Sequence, residues 1–121
     1  MNPVPFQVVS EEVEPGIRIL AVRGELDLNT APEFEMRLGD AIENSSASIM
    51  VDLSDCEFID STGIALIVRN WQRLEDDGSK ERRLVLCCSN HQVWRLLKIT
   101  GVEDSISMCA EREAAIAELR A

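Results

Sequence analysis

Three places along this chain carry side chains that could do chemistry. The first is Phe58-Ile59-Asp60-Ser61-Thr62-Gly63, where a carboxylate, two hydroxyls and a glycine come together. The second is the polar stretch Gly24-Glu25-Leu26-Asp27-Leu28-Asn29-Thr30-Ala31-Pro32. The third is the single histidine, His91, which follows two adjacent cysteines, Cys87 and Cys88. A serine with a histidine can form an acyl-transfer pair, and cysteines with a histidine can hold zinc. A serine at the mouth of a helix suits either a cap or a phosphate.

Neighbouring elements must position these groups. Ser48 to Leu53 reads as a core strand, and Ile64, Ile67, Val68, Trp71 and Leu74 recur at helical spacing. Asp60-Ser61-Thr62-Gly63 therefore opens a helix, where unpaired amides and the positive end of the dipole gather. Ser61 can cap that helix, a contact worth about 1 kcal/mol. Asp60 can take the cap instead, which frees the Ser61 hydroxyl to face solvent. Gly63 would let another backbone or a nucleotide approach closely. Ile64 is expected against the sheet, whereas Leu66 falls off the main stripe and is expected to be exposed.

The remaining elements follow from periodicity and punctuation. After a stiff start at Pro3 and Pro5, Phe6 to Ser10 and Ile17 to Arg23 read as a hairpin about Glu14-Pro15-Gly16. Gly24 to Asn29 is a loop, and Thr30 an N-cap with Pro32 and Glu33 in the first turn. Phe34, Leu38, Ala41 and Ile42 carry that helix until Asn44-Ser45-Ser46. The Ser61 helix runs to Asp76-Asp77-Gly78, with Gly78 as its stop. Leu84 to Cys88 is a strand covered on both faces. Ser89 or Asn90 caps a short helix holding Val93, Leu96 and Leu97, which Gly101 ends. Ser105 to Met108 reads as a brief strand and Glu111 to Arg120 as a closing helix. The order β-β-α-β-α-β-α-β-α implies an α/β fold over 1–121: one domain, with a small, mostly parallel mixed sheet and an N-terminal antiparallel hairpin. If strands two and three run parallel, Asp27 and Ser61 share the carboxyl edge of the sheet. The plainer reading is that Asp27 only pins its turn.

Composition narrows the function. The chain has 121 residues, 45% of them apolar, which suits a globular core without staples. With no Tyr, 2 Trp and 3 Phe, that core is mainly aliphatic. Acids outnumber bases 22 to 12, a net charge of −10, so a nucleic-acid partner is not expected. Lys80, Arg82 and Arg83 form the one basic cluster. The longest apolar run, Ile64 to Val68, is too short for a bilayer, and no signal-peptide pattern opens the chain; a cytoplasmic protein without direct membrane insertion is expected. Cys56, Cys87, Cys88 and Cys109 lack CxxC spacing and read as reduced core thiols, so no metal is expected. Neither a Gly-x-Ser-x-Gly elbow nor a GxxxxGK[ST] loop is present, and nothing in sequence sets His91 against Ser61. An enzyme is not expected; a small Ser61/His91 hydrolase is the rival to test with generic esters.

These motifs resemble a known family. Gly24-Glu25-Leu26-Asp27 followed by Thr30-Ala31-Pro32, with Asp60-Ser61-Thr62-Gly63 after a Val-Asp-Leu strand, is similar to bacterial anti-sigma factor antagonists of the STAS domain family. Leu96 to Val102 resembles that family's third helix and following turn. The resemblance implies a small mixed sheet with about four helices largely on one face. It implies that Ser61 is phosphorylated by an anti-sigma factor that is also a serine kinase, with Thr62 as the other candidate hydroxyl. Asp27, Asn29, Thr30, Asp60, Ser61, Thr62 and Gly63 would form the partner-binding surface. The unmodified form would bind the anti-sigma factor and free its sigma factor, and a PP2C-type phosphatase would reset the switch. The kinase supplies ATP and Mg²⁺, so no cofactor is expected on this chain. The alternative is a STAS docking subunit of a stress-signalling or lipid-transport complex.

Overall fold

The computed structural model describes residues 4–76 and 81–121. Pro3, the Gly78 helix stop and Lys80 of the basic cluster lie outside the described residues. Strands β1 (Gln7–Glu14) and β2 (Ile17–Leu26) form an antiparallel hairpin, and Gly16 in its turn takes a φ of 88°. Then come α1 (Ala31–Glu43), β3 (Ser48–Asp52), β4 (Cys56–Ile59) and α2 (Ser61–Asp76). After the undescribed residues come β5 (Leu84–Cys87), α3 (His91–Ile99), a 3-10 turn (Val102–Asp104), β6 (Met108–Cys109) and α4 (Arg112–Arg120). The sheet order is β1-β2-β3-β5-β6, with β4 paired to β2 beyond the end of β3. Every pairing except the hairpin is parallel.

The α/β architecture and the hairpin are as expected, and four details differ. The first strand reaches Glu14 rather than Ser10, because its whole length pairs with β2. β2 continues past Arg23 to Leu26, taking Gly24, Glu25 and Leu26 out of the expected loop. It can do so because β4, a strand absent from the sequence reading, offers Cys56, Phe58 and Ile59 as partners to those three residues. The last strand is Met108–Cys109, since Val102–Asp104 is spent on the 3-10 turn and Ile106 on the core.

Alternation along the strands divides the core. Leu20 and Val22, Ile49 and Val51, and Leu84 and Leu86 face α1, α2 and α3. Ile19, Met50, Val85 and Cys87 face the other way, where Ala115 of α4 meets them. Three helices thus share one face and the short α4 covers the other. Cys87, the last residue of β5, and Cys88 just beyond it fall on opposite faces, and all four cysteines are free thiols. Burial pushes Cys56 up to about 11 and Cys87 up to about 12, which keeps both as protonated packing groups. Arg82 and Arg83 serve the fold: Arg82 donates to the carbonyls of Ile42 and Ala47, and Arg83 to that of Glu118.

Only Ala115 of α4 is fully buried, with Ile116 and Leu119 packed partly against the same cluster, and ion pairs join the helix to the sheet along its length. Arg112 Nε meets the buried Asp52 carboxylate at 2.7 Å, Arg83 meets Glu118 at 3.3 Å, and Arg120 Nε lies 3.1 Å from both Glu14 oxygens. The hydrogen bond from Arg120 lowers the pKa of Glu14. A hydrogen bond from Ser107, more than its Cys109 and Arg83 contacts, lowers that of Glu118. A depressed folded-state pKa contributes stability above the ordinary carboxylate value, and that stability is lost as pH falls through the folded value. The expected outcome is that backbone NMR shifts of α4 move towards random coil as pH falls below the ordinary carboxylate value, before those of α1 and α2. Simultaneous loss of all helices would contradict this anchoring.

Candidate functional site

The parallel pairing of β2 with β4 sets Leu26 beside Ile59, so the residues that follow emerge side by side. Asp60 donates its N–H to the Leu26 carbonyl at 3.1 Å. Its Oδ1 accepts the Thr62 and Gly63 amides at 2.9 and 3.1 Å, and its Oδ2 accepts the Leu28 amide at 3.2 Å. One carboxylate therefore caps α2 and fastens the Asp27 loop to it. Of the two capping readings, the structure takes Asp60. Ser61 becomes the first residue of α2, exposed, with a hydroxyl that makes no hydrogen bond among the described residues. Thr62 is half-buried behind it.

The Asp27 loop closes on itself. Asp27 Oδ1 accepts the amides of Asn29 and Thr30 at 2.9 and 3.2 Å, and its carbonyl accepts the Ala31 amide at 2.8 Å. The expected Thr30 side-chain cap is not made. The Thr30 hydroxyl instead accepts from the Asp27 amide at 2.9 Å and donates to the Glu25 carbonyl at 2.8 Å. Asp27 thus does pin its turn, and the turn leaves Leu28 and Asn29 exposed beside Ser61's helix.

Gly63 faces inward. A Cβ there would lie 2.7 Å from Leu26 Cγ and 3.1 Å from Ile59 Cγ1, so the close approach is made by the protein's own core rather than by a nucleotide. Leu66 is also buried, contrary to expectation, because α2 is wedged between the sheet and α1 and hides a wider arc than its apolar stripe. Ile64 packs against the core half-exposed, as expected. Leu66 forms the floor of a groove of about 600 Å³ between α1 and α2, with Ser61 and Thr62 at its head and Leu28 on its rim. Arg69 and Glu35 close the far end, 3.6 Å apart.

Sequence reasoning missed Leu28 and Arg69 as groove residues. Leu28 had a signal, an apolar side chain inside a polar loop, and it is 70% exposed. Arg69 had none, since only the packing of α2 on α1 brings it to Glu35. His91 opens α3, exposed, and lines no part of the Ser61 groove, so the structure does not bring together a Ser61–His91 pair. No group of three or more potential metal ligands occurs among the described residues, and no described helix is long and apolar enough to cross a membrane.

Residues 9–115 match the STAS domain family. The chain belongs to that family. The anti-sigma-B factor antagonist of Staphylococcus aureus is 32% identical over 83 residues, covering 69% of this chain and 74% of the relative. In fold, the chain is similar to an anti-sigma factor antagonist from Mycobacterium paratuberculosis, with a TM-score of 0.87 at 22% identity over 97% of this chain and 96% of the other. The Bacillus cell fate determinant SpoIIAA in its phosphorylated form gives 0.67 at 22% identity, over 95% and 99%. This STAS fold accounts for the antiparallel hairpin and the parallel strands.

The site geometry makes two stability expectations. Gly63→Ala forces its new methyl into Leu26 and should cost about 1–3 kcal/mol. Asp60→Ala removes three accepted hydrogen bonds and should cost at least the ~1 kcal/mol of a lost cap, whereas Asp60→Asn keeps an acceptor and should cost less. Urea unfolding checks both, and a neutral Gly63→Ala would contradict the packing described.

Proposed function

We propose that this STAS protein is an anti-sigma factor antagonist whose docking edge is the Asp27 loop together with the first turn of α2, and whose affinity is set by phosphorylation of Ser61. The observation that carries the reading is the division of labour between neighbours: Asp60 takes the helix amides, and the Ser61 hydroxyl stays outside and unbonded. The relatives' names as anti-sigma factor antagonists supply the partner class, and the phosphorylated form solved for SpoIIAA supports a phosphate as the modification. The partner would be an anti-sigma factor with serine kinase activity that brings its own ATP and Mg²⁺. A PP2C-type phosphatase would reverse the step.

The physical case runs through charge at an interface. Phosphate adds about −1.5 to −2 charge at position 61. The α2 dipole favours an exposed anion there by only about 0.3–1 kcal/mol. Asp60 already holds the Thr62 and Gly63 amides, so the phosphate need not rebuild the cap and the fold should persist. A docked partner meets the same charge at close range, where repulsion and lost contact amount to several kcal/mol. About 3 kcal/mol weakens binding more than a hundredfold.

Ser61→Asp is expected to keep its helical circular dichroism and to bind the anti-sigma kinase at least tenfold more weakly; equal affinity would refute the switch. Ser61→Ala is expected to bind and to remain unmodified after incubation with kinase and ATP. Intact-mass measurement of an added phosphate on Ser61→Ala would move the site, with Thr62 the first residue to map.

A further inference from the structure

Among the described residues, α3 differs in charge from the other three α-helices. Its sequence, His91 to Ile99, holds no acidic residue in a chain of net charge −10, whereas α1, α2 and α4 all carry carboxylates. At about 100° per residue, His91, Arg95 and Lys98 fall on one stripe of the helix. The stripe points away from Val93 and Leu97, which are buried. Leu96 and Ile99 flank it on one side, 37% and 74% exposed. Trp94 flanks it on the other, packed partly against the core. Arg95 makes no ion pair among the described residues, and Lys98 has a loose one, 4.0 Å from Glu103.

This face is held rigidly. Asn90 Oδ1 caps α3 by accepting the Gln92 and Val93 amides at 2.9 and 3.3 Å. Its Nδ2 donates to the Cys56 carbonyl at 3.0 Å, tying the cap to β4. The helix backbone that carries the cationic stripe and two uncovered aliphatic side chains is thus already placed, so only side chains need ordering in an encounter.

We propose that the outward face of α3 is a docking surface for an acidic, partly apolar helical segment of another protein. Charge complementarity selects that occupant. A bilayer or a nucleic acid is a broad anionic surface and would confront the −10 of the whole chain. A single helix would confront α3 within a Debye length of about 8 Å, placing carboxylates over Arg95 and Lys98 and apolar side chains over Leu96 and Ile99. Two exposed aliphatic groups suit a helix-on-helix contact and are too few to anchor in lipid. The surface shares no lining residue with the Ser61 groove.

The test is NMR titration of the ¹⁵N-labelled full chain with a synthetic helical peptide bearing Glu and Leu on one face. Its Lys-for-Glu counterpart and vesicles containing phosphatidylserine serve as the other arms. The expected result is that amides of Arg95, Lys98 and Ile99 shift with the Glu peptide alone. Arg95→Glu with Lys98→Glu should weaken that binding at least tenfold, and Ile99→Ser should weaken it at unchanged salt dependence. Equal shifts with the Lys peptide, shifts only with vesicles, no shift at millimolar peptide, or full affinity in the double charge reversal would each overturn the proposal.

Discussion

Everything at the proposed docking edge of this protein depends on where the carboxylate of Asp60 sits. One of its oxygens holds two amides at the start of α2, and the other holds the Leu28 amide of a loop more than thirty residues earlier in the chain. That placement exists because β4 runs parallel to the last residues of β2, with Ile59 beside Leu26. A register slip of one residue would turn Ile59 outward and carry the carboxylate away from both targets. The glycine at position 63 belongs to the same constraint, since any side chain there would push α2 off Leu26 and Ile59.

Several properties follow from that placement. With the cap filled by Asp60, the serine is relieved of capping, and it is exposed where Thr30 and Thr62 are half-buried. The Asp27 turn meets its own hydrogen-bonding needs through Asp27 and Thr30, which leaves Leu28 and Asn29 facing outward. The edge is therefore hydrogen-bonded in backbone and open in side chain, the combination expected of the proposed surface that binds a partner and accepts a modification without refolding. The proposed switch needs no conformational change, because the energetic difference is generated where the partner's surface meets the added charge.

Much of this was legible in the sequence, and the limits have physical causes. The acid–hydroxyl–glycine turn between an apolar strand and an amphipathic helix was visible, as was the choice between Asp60 and Ser61 for the cap. Which of the two prevails depends on the Leu28 amide, a partner no local pattern reveals. Strand β4 was missed because Glu57 and Phe58 are exposed and its four residues show no alternation; only pairing with β2 makes them a strand. Leu66 was misjudged because a helix packed against both a sheet and another helix hides more than one stripe. Thr30 carries the residue type of a cap, yet the loop's curl delivers its hydroxyl to the backbone of Glu25 and Asp27, and Asp27 takes over the amides.

The most direct measurement is the rate at which the proposed anti-sigma kinase phosphorylates Asp60→Asn and Asp60→Ala relative to the natural chain. Asparagine keeps an acceptor for the Thr62 and Gly63 amides, so Ser61 should remain outside and the rate should stay within a few-fold. Alanine vacates the cap, and Ser61 should turn inward to fill it, with the rate falling at least tenfold. Undiminished phosphorylation of Asp60→Ala, in a protein shown to be folded, would contradict the claim that Asp60 is what makes the serine available.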